Sequence, residues 1–176
     1  MRGEPMAAQV PDFAQLFREM APFVWRALRR LGVRERDAED LLQEVFLAVH
    51  RKLPEFEGRS SVRTWVYGFC LRKALDYRRL ARVRREVVAE SLPEHVDDTD
   101  REQQLDVRRA CERLDAILDA LDDDKRAVFV LFELEQLSMK EVAELTEVPL
   151  QTAYFRLYAA RKHVREALRA AGGGDR

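Results

Sequence analysis

Nine cationic side chains, Arg59, Arg63, Arg72, Lys73, Arg78, Arg79, Arg82, Arg84 and Arg85, crowd the stretch 59–85, with Trp65, Tyr67 and Tyr77 among them. The chemistry this offers is binding rather than bond-making. Lys and Arg displace counterions from phosphates, giving an affinity that falls with salt. Aromatic rings stack on unpaired bases, each stack contributing about 1–3 kcal/mol. Upstream, Asp37, Asp40, Gln43 and Glu44 gather polar groups beside an apolar helical stripe, a surface suited to a positively charged protein. Arg156, Arg161, Lys162 and Arg165 mark a second basic segment near the C-terminus. No Gly-rich phosphate loop, HExxH, GxSxG or ordered Ser/His/Asp pattern is present, which argues against an enzyme and against any cofactor. His50, His95 and His163 lack metal-ligand spacing, so no metal site is expected. Cys70 and Cys111 lie far apart in apolar helical patterns and read as buried free thiols.

The net charge of -1 over 176 residues conceals strong segregation. Lys plus Arg against Asp plus Glu is 7 to 8 in residues 1–50, 11 to 3 in 51–85, 4 to 14 in 86–124 and 9 to 7 in 125–176. A basic block beside an acidic one suggests a polyanion-binding face next to a segment that avoids or imitates a polyanion. An apolar content of 47% can build a core. No apolar run approaches the about 18 residues needed to span a bilayer, and no signal-peptide h-region is evident. These features lead us to expect a cytoplasmic protein without membrane insertion.

The elements that position these groups read as helices throughout, with no strand-like alternation and no repeat. Residues 1–11 read as a loose tail. Asp12 is a plausible N-cap for a helix to about Leu31, with an apolar face of Phe13, Leu16, Phe17, Met20, Val24 and Leu28. Pro22 would kink or split it, and Gly32 suits its end. A second helix spans about Glu35 to Lys52, burying Ala38, Leu41, Leu42, Val45, Phe46 and Val49; Leu47 lies off that stripe. Ser60 or Ser61 caps a third helix to about Arg84, with Val62, Val66, Phe69, Cys70, Ala74, Tyr77 and Leu80 inward. Weak periodicity with Pro93, Asp97, Asp98 and Asp100 marks a linker. Helices resume at about Arg101–Leu121 and from Asp122–Asp124 to about Leu134. Ser138 with Glu141 forms a capping box for Met139–Leu145. After Thr146–Pro149 a last helix runs from about Leu150 to Ala170, completing a helix-turn-helix pattern. Ala153, Leu157 and Ala160 keep its inward face, so Tyr154, Phe155 and Tyr158 should point outward. The expectation is an all-α fold: a helical domain at 12–85, an acidic linker at 86–104 and a C-terminal helix-turn-helix domain at 105–170.

With these pieces in order, the chain resembles bacterial RNA polymerase sigma factors of the extracytoplasmic-function (ECF) type, minimal members of the sigma-70 family. The segment from Asp37 to Leu47 resembles the core-polymerase-binding helix. Phe56–Arg79, with Ser60–Tyr67 its most diagnostic part, resembles the promoter-melting and -10-binding segment. Leu137–Arg165 resembles the helix-turn-helix that reads the -35 element. The resemblance covers about residues 12–170. It implies a sigma factor that directs core polymerase to specific promoters and helps melt the -10 region. Asp37, Asp40, Gln43, Glu44 and Leu47 would dock on a coiled coil of the polymerase largest subunit. Arg59, Arg63, Trp65, Tyr67, Arg72, Lys73, Arg78 and Arg79 would hold the melted -10 strand, where a base taken from the stack needs a receiving surface. Gln151, Thr152, Tyr154, Phe155, Arg156, Tyr158, Arg161 and Lys162 would contact the -35 element. The acidic linker would thread through the polymerase near the RNA path, and an anti-sigma factor is an implied partner.

Three departures stand out against the family pattern. Lys73 replaces a common Asn in the -10 helix. Glu147 stands where the helix-turn-helix usually has Gly. Gln151-Thr152-Ala153-Tyr154-Phe155-Arg156-Leu157 replaces Gly-Thr-Val-basic-Ser-Arg-Leu, and Ala159 also stands where a basic or small polar residue is common. Either the -35 contact relies less on phosphate charge and more on aromatic contact with thymine methyls, or this face packs on a regulatory partner such as an anti-sigma factor. Two other readings compete. A free-standing helix-turn-helix regulator independent of polymerase gives the acidic helix no task, and an all-helical adaptor for proteins leaves the basic-aromatic helix unexplained.

Overall fold

A computed structural model describes residues 12–87 and 112–172, and everything in these two stretches is helix, turn or loop. Helix α1 spans Phe13–Arg30; the Asp12 carboxylate accepts from the Gln15 N–H at 3.0 Å, satisfying one of the donors a helix start leaves open. The helix runs through Pro22 unbroken, so the expected split does not occur. Its C-terminus closes where Gly32 takes a φ of 95° and the Val33 N–H reaches back to the Leu28 carbonyl at 3.0 Å. Helix α2 spans Glu35–Lys52 with Glu35 and Asp37 in its first turn, where the helix dipole favours anions. A single 3₁₀ turn at Leu53–Glu55 follows. Helix α3 spans Val62–Val87, its start held by Ser61 Oγ accepting from the Thr64 N–H at 3.0 Å.

These three helices pack around Leu16, Val24, Leu28, Val45, Phe46, Val49, Val66, Cys70 and Leu71, all buried. Cys70 is a free thiol, as expected, and burial pushes its pKa up; Cys111 lies outside the described residues. Leu80 is a correction: expected inward, it is 55% exposed. The reason is the length of its neighbour. Tyr77 already reaches Asp37 in the first turn of α2, so α3 outruns its cover beyond that level.

Helix α4 (112–119) leads to α5 (Asp123–Phe129), capped by Asp122, whose carboxylate accepts from the Lys125 N–H at 2.8 Å. Burial alone would raise the Asp122 pKa, but its bonds from Lys125 prevail and lower it. A π-helical turn, Val130–Leu134, follows. Helix α6 (Met139–Leu145) starts with the expected capping box of Ser138 and Glu141, and α7 spans Leu150–Gly172. Val128, Leu131, Val142, Ala153, Leu157 and Ala160 form the core of this second unit. The expected linker lies, beyond Val87, outside the described residues, as does the start of the expected Arg101–Leu121 helix.

The two helical units meet along α3. Arg126 of α5, 2% exposed, donates from Nε to the Arg30 carbonyl at the end of α1 at 2.7 Å. Gly68 lets α6 approach α3, since a Cβ there would stand 3.3 Å from Leu145.

Candidate polymerase and nucleic-acid interfaces

Helix α2 turns its apolar stripe into the first unit, which leaves Asp40, Gln43, Glu44 and Leu47 exposed along its outer edge. Leu47 is 58% exposed, a large apolar side chain beside carboxylates. Asp37 is employed differently: it accepts the Tyr77 hydroxyl at 2.6 Å and staples α2 to α3. Burial raises the Tyr77 pKa, and the bond to Asp37 raises it further. Glu44 pairs with Lys73 of α3 at 2.7 Å, so the acidic edge and the basic helix adjoin at this point.

Along α3 the predicted basic residues lie at or near the surface, mostly with carboxylate partners. Arg59 is exposed and pairs with Glu57 at 2.5 Å. Arg63 lies over the Phe23 ring, 4.6 Å from its centroid, and donates to Glu135 of the second unit at 2.8 Å. Arg72 is exposed, bonded to the Gly68 carbonyl at 3.2 Å and lying over Phe69. Arg79 pairs with Asp76 at 3.2 Å. Arg78 is half-buried between Asp123 and Asp119, and Arg82 also reaches Asp123. Trp65 is half-buried between Phe56 and Phe69, with centroids 5.0 and 4.9 Å away. Tyr67 requires a correction. It was expected to face a strand, but it is 1% exposed, packs against Phe23, and its hydroxyl has no hydrogen-bond partner. Burial holds its pKa well above the ordinary tyrosine value. It cannot stack on a base in this arrangement.

In the second unit the turn between α6 and α7 uses Glu147 at a φ of 54°, the left-handed region that favours glycine. Ala153, Leu157 and Ala160 face inward as expected. Tyr154, Phe155 and Tyr158 project outward, 54%, 71% and 72% exposed, with Leu150 and Gln151 beside them and Thr152 half-buried. Arg156 is held by Asp124 at 2.5 Å, and Arg161 by Glu133 at 2.5 Å while lying over Phe132. Lys162 is exposed.

Two residues that the sequence did not mark turn out to matter. Glu135 is buried and receives both Arg30 and Arg63, and Arg126 is buried against the end of α1. Neither has a sequence signal, because each depends on what the other unit brings to it. Among the described residues no group of three or more His, Cys, Asp or Glu could hold a metal, and no helix is long and apolar enough to cross a membrane.

Residues 16–84 match the family model for Sigma-70 region 2, and residues 111–164 match Sigma-70, region 4. The chain is 30% identical over 143 residues to the ECF RNA polymerase sigma-E factor of Haemophilus influenzae, covering 75% of each protein. The chain belongs to the ECF sigma factors. It is also 33% identical over 167 residues to the ECF RNA polymerase sigma factor SigE of Mycolicibacterium smegmatis, covering 92% of this chain and 63% of that protein's length. Its fold is similar to that of RpoE of Bartonella quintana, solved in complex with the anti-sigma factor NepR. There the TM-score is 0.67 at 22% identity, over 94% of this chain and 99% of that one. A structure of CnrH with the cytosolic domain of CnrY gives 0.64 at 24% identity, over 90% of this chain and 88% of that one. This sigma factor therefore works in promoter-specific transcription initiation with RNA polymerase, and the reading as a free-standing regulator is set aside. Sigma factors are in general non-enzymatic initiation factors.

Proposed function

We propose that the three interfaces divide the work of initiation among themselves. The outer edge of α2, with Asp40, Gln43, Glu44 and Leu47 and with Asp37 bracing it, docks on a basic coiled coil of the polymerase largest subunit. The α3 edge, with Arg59, Arg63, Arg72, Lys73, Arg78, Arg79 and the half-buried Trp65, holds the melted -10 strand. On α7, Gln151, Thr152, Tyr154, Phe155 and Tyr158 meet the -35 duplex, while Arg156, Arg161 and Lys162 add charge toward phosphates. The corresponding units are 12–85 and 105–170, joined by an acidic linker at 86–104. The protein acts in the cytoplasm, catalyses no reaction of its own, and takes an anti-sigma factor as regulator. The solved structures of like fold, each in complex with a partner and one of them with an anti-sigma factor, support that last point.

The observation that carries this reading is the adjacency of an exposed acidic edge and a basic helix within one bundle, joined at the Glu44–Lys73 pair. Opposite charges on neighbouring faces suit a protein that grips a cationic protein surface and a polyanion together. The test is reconstitution with core polymerase on a matching promoter. Asp40→Lys with Glu44→Lys should abolish core binding and specific transcripts while leaving the helical content intact. Undiminished core binding would refute the docking assignment.

A further inference from the structure

We propose that this sigma factor reads the -35 duplex by its thymine C5-methyl groups, which Tyr154, Phe155 and Tyr158 receive in the major groove. This rests on α7 being the helix that meets the -35 duplex, and it names the base and the group on it that the helix recognises.

The phase of α7 is set by Ala153, Leu157 and Ala160, all buried. The opposite face follows from it. Gln151, Phe155, Tyr158, Lys162 and Arg165 succeed one another at steps of three and four residues, all exposed, with Tyr154 beside them. This stripe is apolar in the first half of the helix and cationic further on. A recognition helix meets base edges with its N-terminal residues. The rings therefore stand where bases are read. Lys162 and Arg165 stand about one and two turns beyond Tyr158, in position for the phosphates that flank the groove.

Charge is scarce in the half that enters the groove. Arg156 is the single cation among residues 150–158, and Asp124 holds it at 2.5 Å. Just beyond, Arg161 is held by Glu133 at 2.5 Å while its guanidinium covers the Phe132 ring. Each reaches a phosphate only in competition with a carboxylate of its own unit. What this half offers is apolar area. The C5-methyl of thymine is the only methyl that the bases present in the major groove. Three adjacent rings can cover methyls on neighbouring steps. Gln151, in the first turn, has the amide donor and acceptor that match adenine, the partner of thymine, in the same groove. Exposed rings in a group also suit a protein partner. A stripe that passes from rings to cations along one helix, however, fits a surface that sets methyls between two rows of phosphates.

The test uses holoenzyme assembled from the full chain and core polymerase. Promoter duplexes randomised across the -35 segment are selected for binding. The selected duplex is then remade with deoxyuracil, which lacks only the methyl, in place of thymine in that segment. Selection should retain thymine at two or more neighbouring positions. Each replacement by uracil should weaken binding about fourfold, the effect of one buried methyl. The triple variant Tyr154→Ala, Phe155→Ala, Tyr158→Ala should bind the thymine and uracil duplexes equally, with a melting temperature close to that of the native chain. Equal binding of the two duplexes by the native holoenzyme would overturn the methyl reading while leaving α7 on the duplex. A uracil penalty that survives the loss of all three rings would overturn it too. Selection that retains no base preference in the segment would overturn the assignment of α7 to the -35 element itself, and would give the rings to a protein partner.

Discussion

Helices α3 and α7 both carry rings among cations, and they dispose them in opposite ways. On α3 the ring of Tyr67 is driven into the core and Trp65 is half-covered, while Arg63, Arg78 and Arg82 meet carboxylates of the other unit. On α7 the rings of Tyr154, Phe155 and Tyr158 stand in the open, while Arg156 and Arg161 are tied to Asp124 and Glu133 of their own unit. One helix thus presents charge, and the other presents apolar area. The difference teaches that residue type does not decide which contact a nucleic-acid-binding helix makes. The face each residue occupies decides it, together with the anions the fold supplies.

The largest effect expected from this contrast is at Tyr67. Tyr67→Ala should destabilise the protein by about 3–5 kcal/mol, as for other large core aromatics. Tyr67→Phe should leave stability within about 1 kcal/mol or raise it, since the hydroxyl it removes has no partner. Strand binding by the Tyr67→Phe protein should match the native protein; a measured loss would break the contrast by putting the hydroxyl at the DNA. Next in size are the exposed rings of α7. Tyr154→Ala and Phe155→Ala should each weaken binding to promoter duplex by about 1–2 kcal/mol, the apolar area a ring loses when it no longer covers a thymine methyl. Their thermal midpoints should not move. Intact affinity in both variants would end the methyl-contact idea. The smallest effect is at the turn that launches α7. Glu147→Gly relieves a left-handed backbone and should stabilise the second unit by about 1 kcal/mol, read as a higher melting temperature.

Much of this is legible in the sequence itself. The 3.6-residue period of α2 placed Val45, Phe46 and Val49 inside and Asp40, Gln43 and Glu44 outside, and the structure has them there. The Ser138–Glu141 capping box and the inward set Ala153, Leu157 and Ala160 could likewise be read locally, because caps and helix faces depend on neighbours within a few residues. A tyrosine amid arginines has the composition of a stacking site, but the helical phase of Tyr67 sets it beside Val66, Cys70 and Leu71 in the core. At Leu80 the apolar period continues past the end of the partner helix that would cover it, so the period alone does not bury it.

Sequence by itself determined the helices, their apolar faces and the segregation of charge, since these follow from side-chain spacing and short-range backbone bonding. Tertiary structure alone decided which arginines are engaged and by what. Glu135 meets Arg63 across 72 residues and Arg30 across 105, and a buried carboxylate is tolerated only where folding brings two cations to it.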